Sequence, residues 1–337
     1  MCIFITKGKY KITIKILCIR THLLYIDLMP GILAIIIAQI IWGAAPAIFK
    51  YSLQGIPPFT LAFIRFFTAA FIFLPFAFMR WKRLSSKQLV YILLGSLAGI
   101  VINISAFFIG LELAPSINVH MISAAGPLVL YVLSLIVLHE KPHAQVLRGM
   151  VFAMIGVLII FFAPLFREGL AGEGNLFVGS IILGNFLFAI AMMGGIFHLV
   201  INKKIIKSVD PSVITSIQFF VGSVAFIPMM VWELQIWSFT SLTSAGWMGI
   251  IYGIFFSSAL AYFLLNYALK RISAQQVGVF EYIKPVIAVI VAIPLLSEYP
   301  DIFFVMGSIL IFIGVYISER HPHFQRVHTK IQSRSDV

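Results

Sequence analysis

The sequence predicts an all-α membrane protein of ten transmembrane helices, arranged as two inverted five-helix repeats with N- and C-termini cytoplasmic. Three observations predict it. Hydrophobic residues are 61% of the 337 and charged residues 11%, with a mean hydropathy of +1.04, a balance no water-soluble core of this size could hide. The apolar stretches are each long enough to cross a hydrocarbon layer of roughly 30 Å as helix. Segments of the first half also return, in order, about 155 residues later. A unit with an odd number of spans, duplicated in tandem, inserts its second copy upside down, which is how many secondary transporters are built.

The stretches run 31–49, 59–79, 88–110, 117–138 and 145–163, then 176–201, 212–232, 245–267, 273–296 and 302–318. They are continuously apolar rather than alternating at period two, which favours helices over a barrel. The chain divides accordingly into a first repeat at 30–163, a second at 176–318 and a basic cytoplasmic tail at 319–337. Residues 1–28 differ in character: Lys7, Lys9 and Lys11 alternate with Tyr10, Ile12 and Ile14, a period that suits a strand and not a span. No cleavable signal pattern is evident there. The expectation is that Met29 is the native start, with 1–28 upstream sequence or a disordered arm.

The net charge of +12 raises nucleic acid as a partner, and the placement of the 24 Lys and Arg removes it. With the N-terminus in the cytoplasm and successive spans alternating, twenty of them fall inside, from Lys7 through Arg80, Lys141, Lys203 and Lys270 to Arg334. Only Lys50 and Arg167 fall outside, and Arg65 and Lys284 lie within spans, so every loop obeys the positive-inside rule. The basic excess therefore sets topology. Both cysteines, Cys2 and Cys18, precede the helical body, which excludes disulfide and thiolate-metal chemistry from it.

The repeat is legible residue by residue. At an offset of 153, Pro58, Ile64, Phe66, Phe67, Phe73 and Pro75 return as Pro211, Ile217, Phe219, Phe220, Phe226 and Pro228. Gly95 and Gly99 return as Gly249 and Gly253, giving both third helices a small-xxx-small face. Pro127, Glu140, Pro142, Gly149 and Gly156 return 158 residues on as Pro285, Glu298, Pro300, Gly307 and Gly314. Together with "WGAAPAIFK" at 42–50 and the Pro58 to Arg65 spacing, these residues resemble the drug/metabolite transporter superfamily, in particular its EamA-type ten-helix members, over roughly 30–318. The resemblance implies an inner-membrane carrier, often an exporter of amino acids or other small metabolites, with a central cavity lined by helices of both repeats. Lys284 departs from it, standing where the family often has a neutral residue or a carboxylate.

The candidate site gathers around the two mirrored prolines. Proline removes the hydrogen bond to the carbonyl four residues back, so Pro127 is expected to free Ser123 and Pro285 to free Glu281, both near the midplane. Transporters place substrate at such broken helices. Glu281 and Lys284 form an i,i+3 pair at a helix centre, where each charge costs roughly 2.5–3.5 kcal/mol on insertion scales. Glu281 is read either as the proton-coupling group or as half of a neutralised pair, with Lys284 tuning it or receiving a substrate carboxylate. His120 shares a helix face with Ser123 and Pro127, as substrate contact or packed core. Trp42, Tyr262, Phe280 and Tyr282 offer stacking surfaces. Arg65, six residues in from the outer end of its helix, either snorkels to the interface or serves as a gate or anion contact. Glu140 and Glu298, at helix ends, read as structural or gating.

No HExxH, GxSxG, Walker or EF-hand pattern is present, so no catalytic residue, metal set or cofactor is expected. The reading is a secondary active carrier working by alternating access, with drug efflux or import by the same fold as its rival. A membrane enzyme or a non-transporting sensor is the rival of another class. Its partners are a small-molecule substrate and the bilayer, and one chain suffices for both repeats, with the oligomeric state open.

Overall fold

The computed structural model describes residues 11–126, 129, 144–168, 175–206, 208–269, 271 and 280–319. Among them there is no strand; the elements are α1 (Lys11–Ser52), α2 (Pro58–Met79), α3 (Ser86–Leu113), α4 (Asn118–Ser123), α5 (Ala144–Glu168), α6 (Asn175–Ile205), α7 (Pro211–Glu233), α8 (Ser244–Ala268), α9 (Ile283–Leu296) and α10 (Ile302–Glu319). Seven of these contain a stretch long and apolar enough to cross a membrane, and α9 and α10 contribute shorter apolar helices. The strand-like alternation of the N-terminal arm is overturned where it is described, since residues 11–28 continue α1 as helix. A lone strand has no partner for its backbone groups, whereas a helix satisfies them within itself.

Helix starts follow local chemistry. Ser85 and Gln88 form a reciprocal capping box at α3, and Asp210 caps α7 through the Ser212 amide, immediately before Pro211. The interior is aromatic: Phe49, Phe66, Phe108, Phe188, Phe219 and Phe226 are fully buried between α1, α2, α3, α6 and α7. Outward faces carry exposed apolar residues such as Leu33, Phe71, Val151 and Ile309, as lipid contact requires.

The packing keeps its pattern when the first five helices are exchanged for the last five. α2 packs on α7, α5 on α10, α1 on α9 as α6 on α4, and α3 on α6 as α8 on α1. Two corresponding pairs, α2 with α7 and α5 with α10, run antiparallel. The end of α7 reaches the start of α2 through Glu233 and Thr60, while the end of α2 reaches the start of α7 through Arg80 and Asp210. On α5 and α10 the mirrored glycines meet: a Cβ on Gly156 would lie 2.4 Å from the Gly307 carbonyl, so only glycine permits this approach.

Two irregularities also recur at mirrored places. π-helical turns occupy Leu97–Ile102 in α3 and Tyr252–Leu260 in α8. The helical path is broken by turns at Ala124–Ala125, just after α4, and at Glu281–Tyr282, just before α9. Pro127, Glu140 and Pro142 lie outside the described residues.

Candidate functional site at the crossing of the two halves

The segment Trp42–Pro46 of α1 is the hub. Pro46 has no N–H, so the Trp42 carbonyl loses its helical partner. His120 of α4 takes it, its Nε2–H donating at 3.0 Å. The Trp42 indole N–H donates in turn to the Ser257 carbonyl of α8 at 3.0 Å, and its ring meets Tyr262 edge-on at 5.3 Å. Tyr252 donates to the neighbouring Ile41 carbonyl. Gly43 lets α9 approach, because a Cβ there would lie 2.8 Å from Ile287 and 3.1 Å from the Lys284 carbonyl. One short motif thus ties α1 to α4, α8 and α9.

Arg65 does not snorkel: it is 3% exposed. Its Nε donates to the Ser258 hydroxyl at 2.7 Å and its Nη2 to that of Ser257 at 3.0 Å, both on the π-helical turn of α8. The guanidinium also lies over the rings of Phe49, at 4.8 Å, and Phe66, at 4.6 Å. Among the described residues no carboxylate pairs with it. Such π turns are frequent at functional sites, and this one turns two consecutive hydroxyls toward one cation.

Glu281 and Lys284 pair at 3.1 Å, the lysine side chain 14% exposed and the carboxylate 44%. Pro285 is buried beside them, but the Glu281 carbonyl expected to be free is not: the Lys284 amide takes it at 3.1 Å. The turn tightens by one residue and satisfies what proline released. Ser123 ends α4, partly buried, one turn beyond His120. Tyr282 turns instead to Phe312 of α10.

A second, partly buried polar cluster was not singled out from the sequence. His198 of α6 donates from Nδ1 to the Gly95 carbonyl at 2.9 Å and accepts at Nε2 from the Asn202 amide at 3.0 Å. Asn202 accepts from Gln218 of α7 at 2.8 Å. The cue was there, a histidine and an asparagine four residues apart on one helix face. Gly99, expected to seat a neighbouring helix closely, seats the His198 ring. Tyr262 joins this cluster to the hub, with ring centroids 5.0 Å from Phe219 and 6.5 Å from His198.

At the Lys50 end the helices are tied by ions. Lys50 pairs with Glu298 at 2.9 Å and donates to the Ala114 carbonyl at 2.6 Å, while Glu298 accepts from the Ser116 amide at 2.8 Å and hydroxyl at 2.7 Å. A cleft of about 210 Å³ opens beside this tie, lined among others by Ile117, Asn118, Pro164, Asp301 and Phe304. If the tie is a closure, Glu298→Gln opens it. A cysteine replacing Ile117, in a chain whose Cys2 and Cys18 are serine, then reacts several-fold faster with a membrane-impermeant maleimide. Equal labelling rates with and without Glu298 would make the tie static.

The comparisons agree with this architecture. A solved crystal structure of 16% identity superposes with a TM-score of 0.59, over 87% of this chain and 96% of that one, and shows the fold. An Escherichia coli (strain K12) protein named "Probable amino-acid metabolite efflux pump" is 26% identical over 302 residues, covering 86% of this chain and 94% of that protein. A Rickettsia felis protein named "S-adenosylmethionine uptake transporter" is 28% identical over 265 residues, 78% and 83% of the two chains. An uncharacterized transporter of Bacillus subtilis (strain 168) is 25% identical over 301 residues, 88% and 95%. The model of the EamA-like transporter family matches residues 29–162 and 178–319, and the chain belongs to that family.

Proposed function

We propose that this chain is a secondary active carrier that exports small metabolites, amino acids first, across the inner membrane by alternating access. It crosses the bilayer ten times as two inverted five-helix repeats with both termini cytoplasmic, which puts the Lys50–Glu298 tie on the outer side. The antiparallel pairing of α2 with α7 and of α5 with α10 supports that reading, as does the exchange symmetry of the packing.

One observation carries it: Arg65, buried at the seam where α2 meets α8, holds its charge with two serine hydroxyls and no described carboxylate. An intramembrane cation is costly and marks a substrate or ion path. The missing counter-charge is supplied by the anionic group of the transported molecule. Trp42, Tyr262, His120 and Lys284, with Ser123 and Pro285 at the broken helices, line the cavity around it. Glu281 carries the coupling proton, being the more open member of its pair. The carrier needs no cofactor and makes no covalent intermediate. Import is the second reading, favoured by the relative named for uptake.

The test is uptake of a labelled amino-acid panel into sealed proteoliposomes, with and without an imposed pH gradient. Saturable uptake of one class, raised by the gradient, is expected. Folded protein that moves none of the panel removes the amino-acid reading. Glu281→Gln is expected to keep substrate exchange and lose gradient-driven accumulation; unchanged accumulation places the proton site elsewhere.

A further inference from the structure

Gln39 stands apart from every other buried polar side chain described. It is fully buried, and neither its Oε1 nor its Nε2 meets a hydrogen-bond partner in the protein. Arg65, His120, Asn185, Gln218 and Glu233 are comparably enclosed, and each is hydrogen-bonded. Leaving a buried donor or acceptor unmet costs about 1–3 kcal/mol per group, and in a bilayer no water stands ready to relieve it. Leucine in this place would be the more stable choice for the fold alone.

Its position says what the amide is for. Gln39 lies ten residues beyond Met29, the start of the membrane-spanning part of α1, so about 15 Å along it and close to the midplane. Trp42 and Gly43 follow at i+3 and i+4 and share its face. Gly43 abuts the Lys284 carbonyl, and Lys50 further along pairs with Glu298, so α1 and α9 run parallel. One turn back from Gly43, Gln39 is therefore level with the Glu281–Tyr282 turn where the path into α9 breaks.

We infer that Gln39 is a substrate-contacting residue whose amide is satisfied by the head group of the transported molecule. This rests on the carrier reading above. A primary amide presents a donor and an acceptor side by side. The ligand class that answers both is a head group with an acceptor next to a donor, such as the carboxylate and ammonium of an α-amino acid. Nε2–H donates to the carboxylate, and Oε1 accepts from the ammonium.

The test uses Gln39→Leu and Gln39→Glu in the full chain. In detergent without substrate, Gln39→Leu melts at the wild-type temperature or above; a lower melting point shows that the amide serves the fold and overturns the inference. In proteoliposomes, with a labelled amino acid that the wild type takes up saturably, Gln39→Leu raises KM at least tenfold, and an unchanged KM overturns it. Gln39→Glu, which exchanges the donor for a negative charge beside the substrate carboxylate, raises KM across the panel by at least as much, and an unchanged KM counts against the inference. The melting arm is read whether or not any probe is moved. A silent wild type therefore defeats the amino-acid reading, whereas an active wild type with an indifferent or unstable leucine variant defeats this inference.

Discussion

Arg65→Gln is expected to lower kcat/KM for uptake about a hundredfold or more while the protein still reaches the membrane folded. The guanidinium offers a planar fork to an anionic group in a site closed to bulk water. Hydrogen bonds to charged groups are worth ~1.5–3 kcal/mol each even as net contributions, and 1.4 kcal/mol is a factor of ten. Glutamine keeps a donor for Ser257 or Ser258 and removes an intramembrane charge, so the fold loses one interaction and sheds one cost. Arg65→Lys separates charge from geometry. An ammonium on a flexible stem cannot hold both serines and a ligand in one plane, so KM rises about tenfold while kcat changes less. Kinetics in proteoliposomes at matched protein density check both variants. Uptake by Arg65→Gln within twofold of wild type would make Arg65 a packing residue, held for its stacking on Phe49 and Phe66.

What the sequence made legible was whatever hydropathy and spacing encode. The apolar runs, the mirrored prolines and glycines, and Trp42, Arg65, His120 and Tyr262 as separate candidates were readable, because a polar or aromatic group in an apolar run stands out. That Arg65 sits beside the Trp42 hub, on the serines of α8, was not, since its place near a helix end suggested a snorkelling residue or a gate. The WGAAP motif could be recognised but not explained. Only the structure shows that Pro46 releases the Trp42 carbonyl for His120 and that Gly43 makes room for α9. The Glu281 carbonyl shows the limit of such reasoning. The missing N–H of Pro285 predicts a free acceptor, and a one-residue tightening of the turn consumes it.

Other features leave no mark in composition. A π turn differs from an α turn by one hydrogen-bond register, so the seat of Arg65 on Ser257 and Ser258 could not be foreseen from a hydropathic run. The same holds for Gln39, whose interest lies in an absence of partners that only the folded structure reveals. The strand-like N-terminal alternation failed for a related reason, since periodicity proposes a strand while pairing decides whether one forms.

Glu233→Ala is the substitution expected to cost most in stability. α2 begins at Pro57–Pro58 with no local side-chain cap, so its first-turn amides look for a partner elsewhere. They find it at the far end of α7, where the Glu233 carboxylate accepts from Phe59 N–H at 2.9 Å, Thr60 N–H at 2.6 Å and Thr60 Oγ1–H at 2.7 Å. At 3% exposure the group is shielded, and its charge sits against the positive end of the helix dipole. Truncation leaves three donors unmet at once, two of them fully enclosed, and at about 1–3 kcal/mol for each buried donor left unmet the loss is about 3–5 kcal/mol. Glu233→Gln keeps one carbonyl oxygen but turns an amide NH2 toward a donor, and about half that loss is expected by the same principle. Its mirror gives the control. Asp210 caps α7 in the open, 21% exposed and paired with an Arg80 that is 61% exposed, so Asp210→Ala costs only ~1 kcal/mol. Thermal unfolding of the three variants in one detergent measures the difference, and KM for the surviving protein stays at its wild-type value, because the cap lies away from the Trp42 hub. Equal, small losses at Glu233 and Asp210 would show that burial adds nothing to this cap. The bond between the two halves would then lie instead in the aromatic packing of Phe66, Phe73, Phe219 and Phe226, which joins α2 to α7 along the same seam.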